Sequence, residues 1–123
     1  MIPEYFHKFI DPLEPLFLHT QKLVTMFIVR DIFHLKFGHF REAKALFDEA
    51  KKKNMFMNLP GLRLLSDFTG PSYRLIMEEN FPTLADFEKS LSSTMHAAEW
   101  QAWYEKFKPL VESSHREILK QVV

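Results

Sequence analysis

The chain has 123 residues, a length typical of one domain, and hydrophobic side chains make up 46% of it, enough for a compact core. Its 16 basic and 16 acidic side chains balance, which gives no electrostatic argument for binding nucleic acid or an anionic membrane. The absence of cysteine excludes disulfide bonds and thiolate chemistry.

The beginning of the chain lacks the basic region and continuous apolar stretch of a signal peptide. The apolar run 26–29 ends at Arg30, far too short to span a bilayer. We therefore expect a cytoplasmic protein with no membrane partner.

Residues 1–23 are predicted to form an N-terminal arm, and residues 24–123 the folded domain. Pro3, Pro12 and Pro15 prevent a long helix in the arm, yet the segment is too apolar for a free tail. We expect the arm to pack on its own domain or on a partner. A lid over a pocket is the alternative.

Alternation of apolar and mixed positions predicts a first strand over about 25–37, because successive side chains of a strand point to opposite faces. One face is apolar except for one carboxylate: Phe27, Val29, Asp31, Phe33, Leu35 and Phe37. A stripe at three- and four-residue steps then predicts a helix over about 39–54.

Two strand-like runs within 61–81 flank the turn signal Thr69-Gly70-Pro71-Ser72, which predicts a hairpin. A second helical region follows Thr83 and is interrupted at Ser92-Ser93-Thr94. Its second piece carries an aromatic stripe, Trp100, Trp103, Tyr104 and Phe107. The last strand is predicted over about 114–122.

The order β-α-β-β-α-β predicts a ferredoxin-like α+β sandwich with its second helix split in two. Both helical layers then lie on one face of the sheet. The other face carries Ile28, Ile32, Leu65 and Ile76, which need cover. A second copy, sheet against sheet, supplies that cover, so we expect a homodimer built as a dimeric α+β barrel.

The segment 30–38, Arg-Asp-Ile-Phe-His-Leu-Lys-Phe-Gly, followed by a helix, resembles the opening of NIPSNAP-like domains. The turn at 67–71 and Phe81 shortly before Leu84-Ala85-Asp86-Phe87 are similar to the same group. More loosely, the plan resembles the antibiotic-biosynthesis-monooxygenase superfamily of dimeric α+β barrels. The resemblance covers about 27–122 and implies the fold and dimerisation, and it implies little about activity because many functions share this scaffold.

Asp31 and Glu79 are the candidate catalytic residues, because they are the carboxylates on the apolar faces of two strands that the topology makes neighbours. Two carboxylates close together at low dielectric raise one pKa and create a proton carrier. The alternative is that each lies in solvent at a strand end or pairs with a cation. Arg116 is the predicted partner of Asp31 if the last strand runs beside the first.

An apolar cavity between sheet and helices is the predicted binding site. Its candidate substrate-binding residues are Phe33, Tyr73, His96, Trp100, Trp103 and Tyr104. An ordinary aromatic core explains the same spacing, and a solvated position explains His96, although the resemblance includes haem-handling proteins with a ligand histidine in this region. The histidines show no metal-ligand spacing, and no glycine-rich nucleotide loop is present, so we expect no metal and no cofactor.

Two functions are compatible with these features. The first is binding or transforming a small apolar or aromatic molecule, including a reaction like that of cofactor-independent monooxygenases. The second is a non-catalytic homodimeric interaction module that uses the apolar arm. An RNA-recognition motif shares the strand order, but its third strand needs exposed aromatic residues where this chain has Glu78 and Glu79.

Overall fold

The computed structural model describes residues 25–57, 59–95 and 97–123. Its elements are β1 (Phe27–Leu35), α1 (Phe40–Lys52), β2 (Arg63–Ser66), β3 (Arg74–Phe81), α2 (Leu84–Met95), α3 (Ala98–Phe107), a 3-10 turn (Lys108–Leu110) and β4 (Val111–Lys120). This order confirms the predicted α+β, ferredoxin-like β-α-β-β-α-β plan with a split second helix. The predicted arm lies outside the described residues. Across the described ranges, no helix combines the length and the hydropathy needed to cross a membrane.

The four strands form one antiparallel sheet in the order β2-β3-β1-β4. β1 therefore lies between β3 and β4, as the ferredoxin-like plan requires. Phe27 pairs with Phe81, Val29 with Glu79, and Asp31 with Met77, so these side chains share one face. On the other side of β1, Asp31 pairs with Arg116. The register thus brings the charged residues of three strands together at the centre of the sheet.

The helices cover this face of the sheet and enclose an aromatic core. α1 contributes Ala43, Phe47 and Ala50, which are fully or almost fully buried. The two alanines allow the helix backbone to approach the sheet, and Phe47 fills the space between them. α3 contributes Trp103 and Phe107, which pack with Phe47 in edge-to-face contacts. Aromatic pairs in this geometry are more favourable than their buried area alone indicates.

Some helix and strand boundaries differ from the predicted ones, because local hydrogen bonds determine where these elements begin and end. α2 runs without interruption through 92–94, and the Ser93 hydroxyl donates to the Ser90 carbonyl at 3.2 Å, so this serine is accommodated within the helix. The Thr83 side chain caps α2 by accepting from the Asp86 amide at 3.0 Å. Pro109 lies in the 3-10 turn, and β4 begins directly after it at Val111.

The outer face of the sheet is less exposed to solvent than predicted. Leu65 is 42% exposed, and Ile28 and Ile76 are half-buried, but Ile32 at the centre is only 4% exposed. Glu78 is also buried there, and it accepts hydrogen bonds from Arg30 and Arg63 at 2.7 and 2.6 Å. This face is therefore an apolar and ionic mixture.

Candidate functional site

A cavity of about 640 Å³ lies between the sheet and the helices. Its floor is the helix-facing side of the sheet, including Asp31, Phe33 and Glu79, and its walls come from α1, α2 and α3. The residues that line it from the helices are predominantly apolar, with Phe47, Phe87, Leu91, Trp100, Trp103, Tyr104 and Phe107 among them. The volume is in the range of small-molecule sites.

The aromatic wall is rigid because its members are held by one another and by one hydrogen bond. The Trp103 indole N–H donates to the Leu46 carbonyl at 2.7 Å, and its ring stacks on Phe107 at 5.0 Å. Trp100 meets Trp103 edge-to-face at 5.2 Å, and Phe33 meets Phe107 in the same way at 4.9 Å. Trp103 and Phe107 thus belong both to the core and to the cavity wall, so the two interpretations of the stripe are compatible.

Asp31 is paired with a cation. The Arg116 Nε donates to the Asp31 Oδ1 at 2.6 Å, and the Arg116 guanidinium lies over the Phe87 ring at 5.1 Å. Asp31 is 8% exposed, whereas the Arg116 side chain is 38% exposed. Asp31 is therefore not the unpaired carboxylate of the apolar stripe, and the alternative in which β4 runs beside β1 holds.

Glu79 is the carboxylate that has no partner of its own. It is 7% exposed, and among the described residues none donates a hydrogen bond to it or forms an ion pair with it. Burial and, to a lesser extent, the negative charge of Asp31 raise the pKa of Glu79 to about 7, although Arg116 opposes both effects. Near neutral pH this carboxyl group is thus divided between its protonated and ionised forms.

The three charged residues together define what the site can do chemically. The Asp31–Arg116 pair is neutral as a unit, so the charge of the cavity floor depends on Glu79. A group with a pKa near the working pH exchanges protons readily, and an ionised carboxylate in an apolar cavity attracts a positive charge. Within the part of the chain that the structure describes, no group of three or more histidine, aspartate or glutamate side chains is arranged to hold a metal ion.

The structure places four of the six predicted substrate-binding residues at the cavity: Phe33, Trp100, Trp103 and Tyr104. Tyr73 lies elsewhere, beside Phe37 and in a second cavity of about 240 Å³ at the β2–β3 turn. Its φ of 66° places it within the turn, before β3 begins at Arg74, so the predicted alternation does not extend to it. His96 lies outside the described residues.

Sequence reasoning missed part of the site. In the sequence, Phe87 contributes only to the family resemblance, and Arg116 is only a conditional partner of Asp31. The spacing of Phe87 and Leu91 places them on one side of α2, but their position over the charged residues depends on how α2 packs. No signal in the sequence indicates that packing.

Comparison with known proteins supports the fold and leaves the activity open. No family model matches the chain, and no curated protein matches it. A NIPSNAP family protein of Agrobacterium tumefaciens is 22% identical with a TM-score of 0.73, over 79% of this chain and 86% of that one. An uncharacterised NIPSNAP-like domain protein of Burkholderia xenovorans is 20% identical with a TM-score of 0.71, over 76% of this chain and 83% of that one.

A third solved structure is more distant. It is a candidate antibiotic biosynthesis monooxygenase of Bordetella bronchiseptica, 15% identical with a TM-score of 0.63, over 80% of this chain and 98% of that one. The resemblance to the fold of these two groups is therefore confirmed. Because such identities establish the fold alone, the function has to be argued from the cavity.

Proposed function

We propose that this protein binds a small apolar or aromatic molecule in the cavity between the sheet and the helices. The observation that carries the proposal is an aromatic-walled space of about 640 Å³ with one unpaired, buried carboxyl group on its floor. An apolar body in this space gains by leaving water, and the carboxyl group provides a polar anchor.

The rigidity of the wall supports this proposal. Trp103 is held by its hydrogen bond to α1 and by rings on three sides, so the cavity exists before a ligand arrives. A preformed site avoids the cost of ordering side chains on binding. Tyr104 is 48% exposed and provides a half-exposed aromatic surface at the cavity.

Titration with naphthylethanol, a neutral bicyclic probe, tests the proposal by calorimetry. Thr94→Trp fills the cavity from α2 and should abolish heat of binding, because Thr94 lines it. Ser92→Trp adds the same bulk at an exposed position of the same helix and should bind the probe as the wild type does. If neither this probe nor a charged analogue of the same shape binds the wild type at millimolar concentration, or if both variants bind equally well, the proposal is wrong.

We propose further that the protein is a homodimer whose protomers meet through the outer face of the sheet. Leu65 and Leu119 are 42% and 40% exposed on that face, beside half-buried Ile28 and Ile76. Sedimentation velocity tests the proposal: Leu65→Glu should shift the protein toward monomer. Leu64→Glu places the same charge on the opposite face of β2 and should leave the dimer intact. A wild-type protein that sediments as a monomer at micromolar concentration contradicts the proposal.

A proton-transfer reaction is a second candidate function, and the position of Glu79 favours it. A buried carboxyl group with a pKa of about 7 takes up and releases protons near neutral pH. The Bordetella protein of the same fold is named for monooxygenase chemistry. Oxygen consumption with naphthol as substrate tests this candidate in its monooxygenase form, in which Glu79 takes the hydroxyl proton and dioxygen oxidises the naphtholate to naphthoquinone and water. Glu79→Gln should remove the activity. A wild-type rate equal to the buffer blank rejects catalysis on this substrate while leaving binding intact.

A further inference from the structure

Glu79 lines the cavity floor, and its negative charge, when the group is ionised, has no cationic partner of its own within the described part of the chain. The residue is 7% exposed, and no described residue donates a hydrogen bond to its carboxyl group. Arg116, which lines the same cavity, already donates to Asp31 at 2.6 Å. An ionised carboxylate in such surroundings has little water and no hydrogen-bonding partner to stabilise it. A ligand that brings a positive charge would supply that partner.

The other groups around the cavity favour the same sign of charge. The titratable or charged residues that line it are Asp31 on β1, Glu79 on β3, His115 and Arg116 on β4, and Tyr104 on α3. The His115 ring stacks on His34, which belongs to the outer face of the sheet, so it does not add charge to the cavity. Two carboxylates against one guanidinium leave one negative charge when Glu79 is ionised.

The aromatic rings also suit a cation. Trp100 and Trp103 line the cavity from α3 and Phe33 lines its floor beside the carboxylates, and the faces of aromatic rings carry negative electrostatic potential. Rings of this kind attract ammonium groups, most strongly in sites from which water is excluded. One side of the cavity already shows this interaction, since the Arg116 guanidinium lies over the Phe87 ring at 5.1 Å.

We infer that the ligand of this cavity is an organic amine: an ammonium group against the Glu79 carboxylate, attached to an aromatic or apolar body that lies among the tryptophan rings. The inference rests on the proposed binding function and names its ligand class. A neutral alcohol of the same shape would contact the aromatic rings but would leave the Glu79 carboxylate without a countercharge. A carboxylate ligand would meet Asp31 and Glu79, with only the remaining nitrogens of Arg116 in its favour.

Three probes of equal shape distinguish these ligand classes: naphthylethylamine, naphthylethanol and naphthylacetate, titrated calorimetrically at pH 8. We expect the amine to bind the wild type at least about tenfold more tightly than the alcohol, as for a desolvated charge pair, and the acetate to bind most weakly. Glu79→Gln should reduce the amine advantage to less than about threefold and leave the affinity for the alcohol unchanged. Glu88→Gln removes the same charge from an exposed position of α2 outside the cavity and should change neither affinity.

The pH dependence gives an independent readout. Since the amine must displace the proton of Glu79, its affinity should fall by about tenfold from pH 8 to pH 6, while the affinity of the alcohol stays constant. Glu79→Gln should abolish this dependence. An amine that binds no better than the alcohol, or that keeps its advantage in Glu79→Gln, overturns the inference and leaves the proposed binding function standing. A preference for the acetate overturns it in favour of Arg116 as the anchor, and failure of all three probes to bind overturns both proposals.

Discussion

Replacing Glu79 by glutamine removes the one buried carboxyl group of the cavity that has no cationic partner of its own. The pKa of this group rises from an ordinary 4.5 to about 7 on folding, chiefly because of burial and then because of Asp31. At about 1.4 kcal/mol per pH unit, the ionised group opposes folding by about 3 kcal/mol. Because solvent in the cavity screens part of this electrostatic cost, we expect the ionised group to lower the free energy of unfolding by about 2 kcal/mol.

The sign follows from proton binding. Between pH 4.5 and pH 7 the unfolded chain holds fewer protons on this residue than the folded protein does. The contribution of Glu79 to the free energy of unfolding therefore falls as pH rises through that window, and below it the contribution is constant. Glutamine carries no charge at any pH in this window, so the variant lacks this contribution. We thus expect Glu79→Gln to match the wild type within about 0.5 kcal/mol at about pH 4, below that window, and to exceed it at pH 8 by about 2 kcal/mol.

Urea denaturation followed by tryptophan fluorescence measures both values, because Trp100 and Trp103 are the two tryptophans of the chain and both line the cavity. Protein concentration is held constant, since dimerisation would couple to unfolding. Glu88→Gln provides the control for an exposed carboxylate and should show no pH-dependent difference from the wild type. The reasoning is refuted if Glu79→Gln is less stable than the wild type at pH 8, or if its difference from the wild type is the same at both pH values.

Three other predictions test separate parts of the structure. Asp31→Asn should lower the pKa of Glu79, because it removes a negative neighbour and frees a cation, and the pH at which stability changes should move down accordingly in the denaturation series. Trp103→Phe loses the hydrogen bond to a main-chain carbonyl of α1 and part of the wall, and urea unfolding should show a loss of about 1–3 kcal/mol. Gly61→Ala should lower the thermal unfolding temperature more than Gly38→Ala does. Both glycines have positive φ, but a Cβ at Gly61 would lie 2.6 Å from a side-chain nitrogen of β3, whereas a Cβ at Gly38 would have no neighbour within 4 Å.

The two carboxylates show how much of the site can be predicted from the sequence. Alternation within β1 and β3 places Asp31 and Glu79 on the helix-facing side, and the ferredoxin-like order makes their strands neighbours. From these facts alone, either residue is eligible for a raised pKa. Which one has it depends on β4, because the register there puts Arg116 opposite Asp31 and leaves Glu79 without a partner.

The sequence alone determined the order of elements, the antiparallel hairpin and the amphipathic faces, because period and turn chemistry are local properties of the chain. It also determined that aromatic residues face the sheet from the last helix. Packing in three dimensions places Tyr73 outside the cavity, adds Phe87 and Arg116 to its lining, and buries Ile32 on the outer face. These outcomes depend on strand register, on a positive φ in one turn and on how α2 packs, which are set by contacts between residues far apart in the chain.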